Sequence, residues 1–204
     1  MKTVEIKVYR FDELSDEAKD KARAWWRQSS EGDQYWFESI FDDFESICKI
    51  LGIRLDGYKN GQKSIFFSGF YSQGDGASWA GHYSHEKEAS KKIREYAPKD
   101  EALHAIADRL TSIQRPYFYG LRAKVSQSGR YSHEMTMGID WAETENGREV
   151  KREDEDELLD AFRDLARWLY QTLEREYDWQ NADAQVDELI RANEYEFNED
   201  GSRF

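Results

Sequence analysis

One cysteine, two prolines and no long apolar run set the first limits on this 204-residue chain. The lone thiol, Cys48, leaves nothing for an internal disulfide, so the fold has to stand on its core. Pro98 and Pro116 both fall between periodic segments, and no Pro/Gly/Ser-rich stretch interrupts residues 1–204, which read as a single globular domain. No segment approaches the length that spans a bilayer, and the opening MKTVEIKVYR has no apolar stretch of the signal-peptide kind. A soluble protein in a reducing, cytoplasmic setting is expected. What the chain does hold is 39% hydrophobic and 15% aromatic residues, which excludes a disordered acidic tail.

Bases are scarce in one place. Residues 1–139 carry 21 acids and 21 bases, whereas residues 140–204 carry 21 acids and 8 bases, so the net charge of −13 belongs to an acidic C-terminal third. Such a field repels phosphate backbones and attracts cations; a basic partner is expected and direct duplex binding is not. No basic amphipathic helix points to a membrane surface.

Periodicity gives the elements. In TVEIKVY, Val4, Ile6 and Val8 alternate as in a half-buried strand. Ser15 then caps a helix whose stripe is Ala18, Ala22, Trp25 and Trp26. A second helix over about 35–51 places Phe37, Ile40, Phe41, Phe44, Ile47, Cys48 and Leu51 on one side, which makes Cys48 a core residue. Asn60-Gly61 sits between extended runs as a hairpin turn. EKEASKKIREYA reads as a short polar helix, and Asp100 starts another with Leu103, Ile106, Ala107, Leu110 and Ile113 at helical spacing. YFYGLRAKV and YSHEMTMGIDW alternate as strands, with Tyr117, Tyr119, Leu121, Ala123 and Val125 on one face and Tyr131, His133, Met135, Met137, Ile139 and Trp141 on another. A long helix buries Leu159, Phe162, Leu165, Ala166, Leu169 and Leu173. A shorter one over about 182–193 leads to EYEFNEDGSRF, which can return as a strand. Hairpins rather than βαβ alternation make this an α+β fold: an antiparallel sheet covered by several helices.

SGFYSQGDGASWAGHYSHE, residues 68–86, gathers four of the 13 glycines around one aspartate and is the least ordinary stretch of the chain. The plain role of SQGDGA is a hairpin loop, with two glycines able to take positive φ and an aspartate able to close an Asx turn. The alternative is a ligand loop in which Ser72, Gln73, Gly74, Asp75, Gly76 and Ser78 meet a neutral or cationic group beside Tyr71 or Trp79. A phosphate loop is excluded by the missing lysine. A metal set of Asp75, His85, Glu86 and His133 lacks zinc-site spacing, so no metal or cofactor is expected and no catalytic residue is assigned.

The run EDEDE has two roles as well. Acids at a helix start favour the dipole. On a rigid frame, Glu149, Glu153, Asp154, Glu155, Asp156 and Glu157, with Asp140, Glu143 and Glu145 nearby, could instead form a partner-binding surface that imitates nucleic-acid charge.

YRFDELSDEAKDKARAWWR, SGFYSQGDGASWAGHYS and VDELIRANEYEFNEDGSRF, in this order, resemble a family of tailed-phage and prophage proteins often labelled antitoxin of a toxin-antitoxin stability system. Its most specific segment falls here on Ser68, Gly69, Phe70, Ser72, Gln73, Gly74, Asp75, Gly76 and Ala77; Tyr71 and Trp79 depart from the small residue and phenylalanine typical there. The resemblance implies a phage product made in a bacterial cell. Three roles follow: a non-enzymatic inhibitor that holds a basic host defence or nucleic-acid-processing protein through its acidic surface, an antitoxin contacting a toxin, or a nucleotide or small-molecule binder or hydrolase using the SQGDGA loop.

Overall fold

The computed structural model describes residues 2, 5–29, 35–57 and 61–204. Two compact units emerge where one domain was expected: a larger one, Phe37–Glu174, and a smaller one made of both chain ends, Met1–Trp36 with Arg175–Phe204. The fold is α+β, and every strand pairing is antiparallel.

In the larger unit, α2 (Glu38–Leu51) runs into β2 (Ile53–Leu55); β3 (Ile65–Ser68) and β4 (Gly76–Trp79) form a two-stranded ribbon, and β5 (Gly81–Ser84) follows. Helices α3 (Ala89–Tyr96) and α4 (Glu101–Gln114) precede β6 (Leu121–Gln127), β7 (Met137–Thr144) and the long α5, Arg152–Asn181, which belongs to this unit through Glu174. The four-stranded sheet has the order β2-β5-β6-β7. Its inward residues, among them Tyr83, Leu121, Ala123 and Val125, are buried. Phe162 of α5 is the keystone: its ring meets those of Trp79 and Tyr83 edge-on, each at 5.3 Å. Such T-shaped contacts add to the apolar area that fully buried aromatics remove from water. Asp100 caps α4 through the Leu103 amide at 3.0 Å, and Leu103, Ile106, Ala107, Leu110 and Ile113 are all buried as their spacing requires.

The hairpin β6-β7 departs from simple alternation at two points. Residues Arg115–Tyr117 form a 3-10 turn, and Phe118 and Tyr119 take left-handed backbone with φ of 54° and 63°, so the strand starts only at Leu121. On the other side Tyr131 and Met135 are exposed and a 3-10 turn, Glu134–Thr136, occupies the place where strand was expected. Between Lys124 and Val125 the register slips: Lys124 faces Trp141 but Val125 faces Ile139, which leaves Asp140 as the extra residue of a bulge. Met137 and Ile139 therefore share the inward face with Ala142 and Thr144, and Trp141 turns outward, 41% exposed. One extra residue has flipped the face of everything after it. In α5 the buried leucine of the first turns is Leu158, with Leu159 half-buried beside it.

In the smaller unit, β1 (Tyr9–Arg10) pairs with β8 (Glu196–Phe197), so the C-terminal segment does return as a strand. The N-terminal strand is shorter than its alternation predicts, for Ile6 and Val8 are exposed and outside any ladder, and Val4 lies outside the described residues. Asn60 of the expected Asn60-Gly61 turn lies outside them too, although Gly57 and Lys63 form the antiparallel bridge that such a turn would close. Helix α1 (Asp16–Gln28), capped by Ser15, and α6 (Asp183–Ala192) enclose a small core of Phe11, Ala18, Ala22, Trp26, Val186, Ile190 and Phe197. Gly201 lets the last turn close over α1: a Cβ there would stand 2.0 Å from the Ala18 carbonyl oxygen, and its φ is +79°.

Candidate functional site

The SQGDGA loop joins β3 to β4. Asp75 accepts hydrogen bonds at Oδ2 from the amides of Tyr71 (3.0 Å) and Ser72 (2.6 Å), while its own amide donates to the Ser72 carbonyl at 3.1 Å. The carboxylate is thus the fastener of its own turn. The two glycines are required for different reasons: Gly74 by its φ of +93°, and Gly76 by its neighbour, since a Cβ there would come 2.9 Å from the His133 ring. Tyr170 donates to the Gly69 carbonyl at 3.1 Å. Of the six residues assigned to a ligand loop, Ser72 and Gln73 are exposed, Gly74 and Asp75 are half-buried, and Gly76 and Ser78 are buried. Asp75→Ala would open this loop with or without a ligand, because it releases two backbone donors.

The acidic run is held differently. Tyr117, the buried last residue of the 3-10 turn, receives the Lys151 amide at 3.0 Å and donates to Asp154 Oδ2 at 2.5 Å. Arg148 donates to the Pro116 carbonyl at 2.7 Å and lies 5.6 Å over the Tyr117 ring. The start of α5 is therefore clamped onto the corner before β6. Burial, followed by the Asp154 contact, raises the Tyr117 hydroxyl pKa above its ordinary value, so the phenol stays protonated and donating to a higher pH than a free tyrosine would. Asp156 reaches only Arg152, at 4.0 Å, and Glu157 meets Arg109 at 3.5 Å. Glu149, Glu153 and Glu155 meet no base among the described residues. Glu153, Asp154 and Glu155 occupy the first turn of α5, where the helix dipole favours them.

Not all of the acidic third is available in this way. In the smaller unit Asp187 takes a two-pronged bond from Arg23 at 2.7 and 2.8 Å, Asp183 meets Arg27 at 2.5 Å, and Asp200 meets Lys21 at 2.5 Å. The expectation that residues 140–204 present one surplus of unneutralised acid is corrected here, because the chain ends come together and N-terminal bases meet C-terminal acids.

Cys48 is fully buried, and burial pushes its thiol well above the ordinary range, as a core residue requires. His133 accepts the Met135 amide at Nδ1, 3.1 Å away. His85 lies 4.6 Å from the Tyr119 ring and its pKa is lowered by burial. Among the described residues no three of His, Cys, Asp and Glu stand together as a metal set, and no helix is long and apolar enough to cross a membrane.

Two features escaped the sequence. Phe118 is 78% exposed and Tyr119 47%, both on left-handed backbone beside the Tyr117 clamp. Periodicity had placed Tyr119 inside a strand, and no pattern of apolar spacing signals two consecutive residues at positive φ. The second is at the start of α2, where Phe37, Ile40 and Phe41 were expected in the core and are only half-buried.

These features define an α+β protein with a fastened hairpin loop and a clamped acidic helix start. Residues 36–183, which include the whole larger unit, match the family model described as Domain of unknown function (DUF8835), and the chain belongs to that family. No curated protein and no solved structure matches it.

Proposed function

We propose that this chain is a non-enzymatic binding protein that occupies a basic surface of another protein through the acidic start of α5, and that it is a phage product whose partner is a host defence or nucleic-acid-processing protein. The observation that carries this reading is the clamp: among the described residues, Glu149 just before α5 and Glu153 and Glu155 in its first turn meet no base, and Tyr117 fixes that helix start in place. Carboxylates on a fixed frame lose little freedom when they meet cations, and an unneutralised cluster steers a basic partner toward itself. Phe118, exposed next to the clamp, offers an apolar contact of the kind that anchors interfaces.

The test reverses charge at residues that make no ion pair among the described residues and lend the fold only the modest dipole contribution of a helix start. Glu149→Lys, Glu153→Lys and Glu155→Lys together should leave the melting temperature unchanged within a few degrees and abolish capture of a basic protein from a bacterial host extract at low salt. The affinity of the unaltered chain for the purified partner should fall steeply as salt rises. Undiminished affinity in the triple variant would overturn the proposal. Rescue of cells from the product of a neighbouring toxic gene, undisturbed by the triple reversal, would replace it with the antitoxin role.

A further inference from the structure

Between the first turns of α2 and the strand β3 runs an open trough of about 690 Å³. Its floor is aromatic. Phe37 and Phe41 of the α2 segment and Phe67 of β3 form a trio with ring centroids 5.1, 5.4 and 5.9 Å apart, Phe37 tilted against both others and Phe41 edge-on to Phe67, and Phe66 and Ile65 continue the wall. Phe66 and Phe67 point to opposite sides of a strand, so a trough bordered by both runs along the strand's edge rather than over one face. The rim is acidic. Glu38 and Asp42, one helical turn apart and both exposed, meet no base among the described residues. The rim's lysine, Lys63, lies 3.3 Å from Glu45, which Lys49 holds as well at 2.9 Å. Those contacts, Lys49 first, keep the Glu45 carboxyl below its ordinary pKa, so the lysines are engaged by an ionised partner. What remains is an apolar floor of pocket size beneath two negative charges that meet no base among the described residues.

We infer that this trough is a second binding site, for a peptide segment of a partner protein in which apolar side chains sit next to lysine or arginine. The apolar side chains would lie on Phe37, Phe41 and Phe67. The basic group would pass over the ring faces, whose quadrupole attracts cations, to reach Glu38 and Asp42. An acidic peptide of the same apolar content would meet two like charges and be rejected. The site is separate from the acidic start of α5 and stands or falls independently of it.

The experiment selects a random peptide library, displayed on phage, against the full chain and against Glu38→Lys/Asp42→Lys, two exposed positions whose reversal leaves the core untouched. Selection on the unaltered chain should enrich peptides with paired apolar and basic residues. The synthesised winners should lose binding on the order of tenfold or more to the double reversal. Phe41→Ala, with its fold checked by circular dichroism, should weaken them comparably while leaving any residual preference for basic residues in place. Glu149→Lys/Glu153→Lys/Glu155→Lys should bind them as well as the unaltered chain. Enrichment without a basic bias, or winners that bind the Glu38→Lys/Asp42→Lys chain equally well, would overturn the inference. Winners lost only in the Glu149/Glu153/Glu155 variant would overturn it too and would assign them to the start of α5.

Discussion

The larger unit and the smaller one are held together by different means. In the larger, α5 lays a row of fully buried apolar residues against the sheet, and its ion pairs, some between near neighbours such as Arg167 with Asp164 and some between distant elements such as Lys124 with Asp56, supplement that core. The smaller unit has a core cluster of eight buried residues, two of them alanines, and its ion pairs join residues from opposite ends of the chain: Arg23 to Asp187, Arg27 to Asp183, Lys21 to Asp200 and Arg191 to Asp12. A thin core buries little area, so paired charges and rings do more of the joining. Arg203 stacks 4.8 Å over Tyr195, and Arg23 and Arg191 lie over Phe11 at 5.7 and 5.3 Å. The difference teaches something about charge. A chain split into a neutral front and an acidic back folds into units with 17 acids against 10 bases and 25 against 19, a surplus of similar size in each. Asymmetry along a sequence is not asymmetry over a surface.

The sharpest way to break this contrast is to empty the larger core. Phe162→Ala removes the ring shared by Trp79 and Tyr83 and should cost about 3–5 kcal/mol, read by thermal or urea unfolding. Amide exchange should then quicken in β5 and β6 while α6 keeps its protection; equal loss in both would mean that the two units unfold as one. In the smaller unit the largest effect expected from a single methyl is at Gly201. Gly201→Ala forces a Cβ against the Ala18 carbonyl at positive φ and should cost on the order of 2 kcal/mol or more, with exchange quickening in α1 and α6 only. Gly138→Ala, where nothing lies within 4 Å of the new Cβ, is the control and should stay within about 0.5 kcal/mol.

The elements that were legible in the sequence are those in which local chemistry and tertiary packing agree. Ser15 and Asp100 are caps in both, the stripe of α4 is buried as spaced, that of α1 is buried except for half-buried Trp25, and Cys48 is core. Legibility failed where one residue changes the frame. The bulge at Asp140 turns Trp141 outward, and the left-handed Phe118 and Tyr119 delay β6, and neither leaves a trace in a hydrophobic pattern. The division into two units was hidden for another reason: it rests on pairing between residues such as Tyr9 and Phe197, far apart in sequence, that no window along the chain compares. For the candidate sites, the acidic run could be named residue by residue. The clamp that fixes it depends on a Tyr117 hydroxyl that alternation had assigned to a strand face.

The two units should also part company in pH. Burial pushes Tyr83 up to about 12, and Tyr96, Tyr117 and Tyr170, all in the larger unit, are raised as well. An acid whose folded pKa exceeds its unfolded value near 10 adds stability that is complete below that value and is lost as pH climbs through the folded one. The larger unit should therefore weaken between about pH 10 and 12, by up to about 2–3 kcal/mol from Tyr83. Tyrosinate absorbance rising together with loss of β5 and β6 protection would show it; protection lost first in α6 would contradict it. The acid arm is smaller. Asp183 is depressed by Arg27 and Asp200 by Lys21 in the smaller unit, and Asp108 by Arg94 and Glu45 by Lys49 in the larger. Depressed carboxylates add stability above their unfolded pKa near 4 and lose it as pH falls through the folded values, so both units should soften below about pH 4. Asp183 and Asp200 are largely exposed, so solvent and salt screen both pairs. Added salt should consequently erase more of the acid arm than of the alkaline one, because a desolvated phenol has no surface ion pair for salt to weaken.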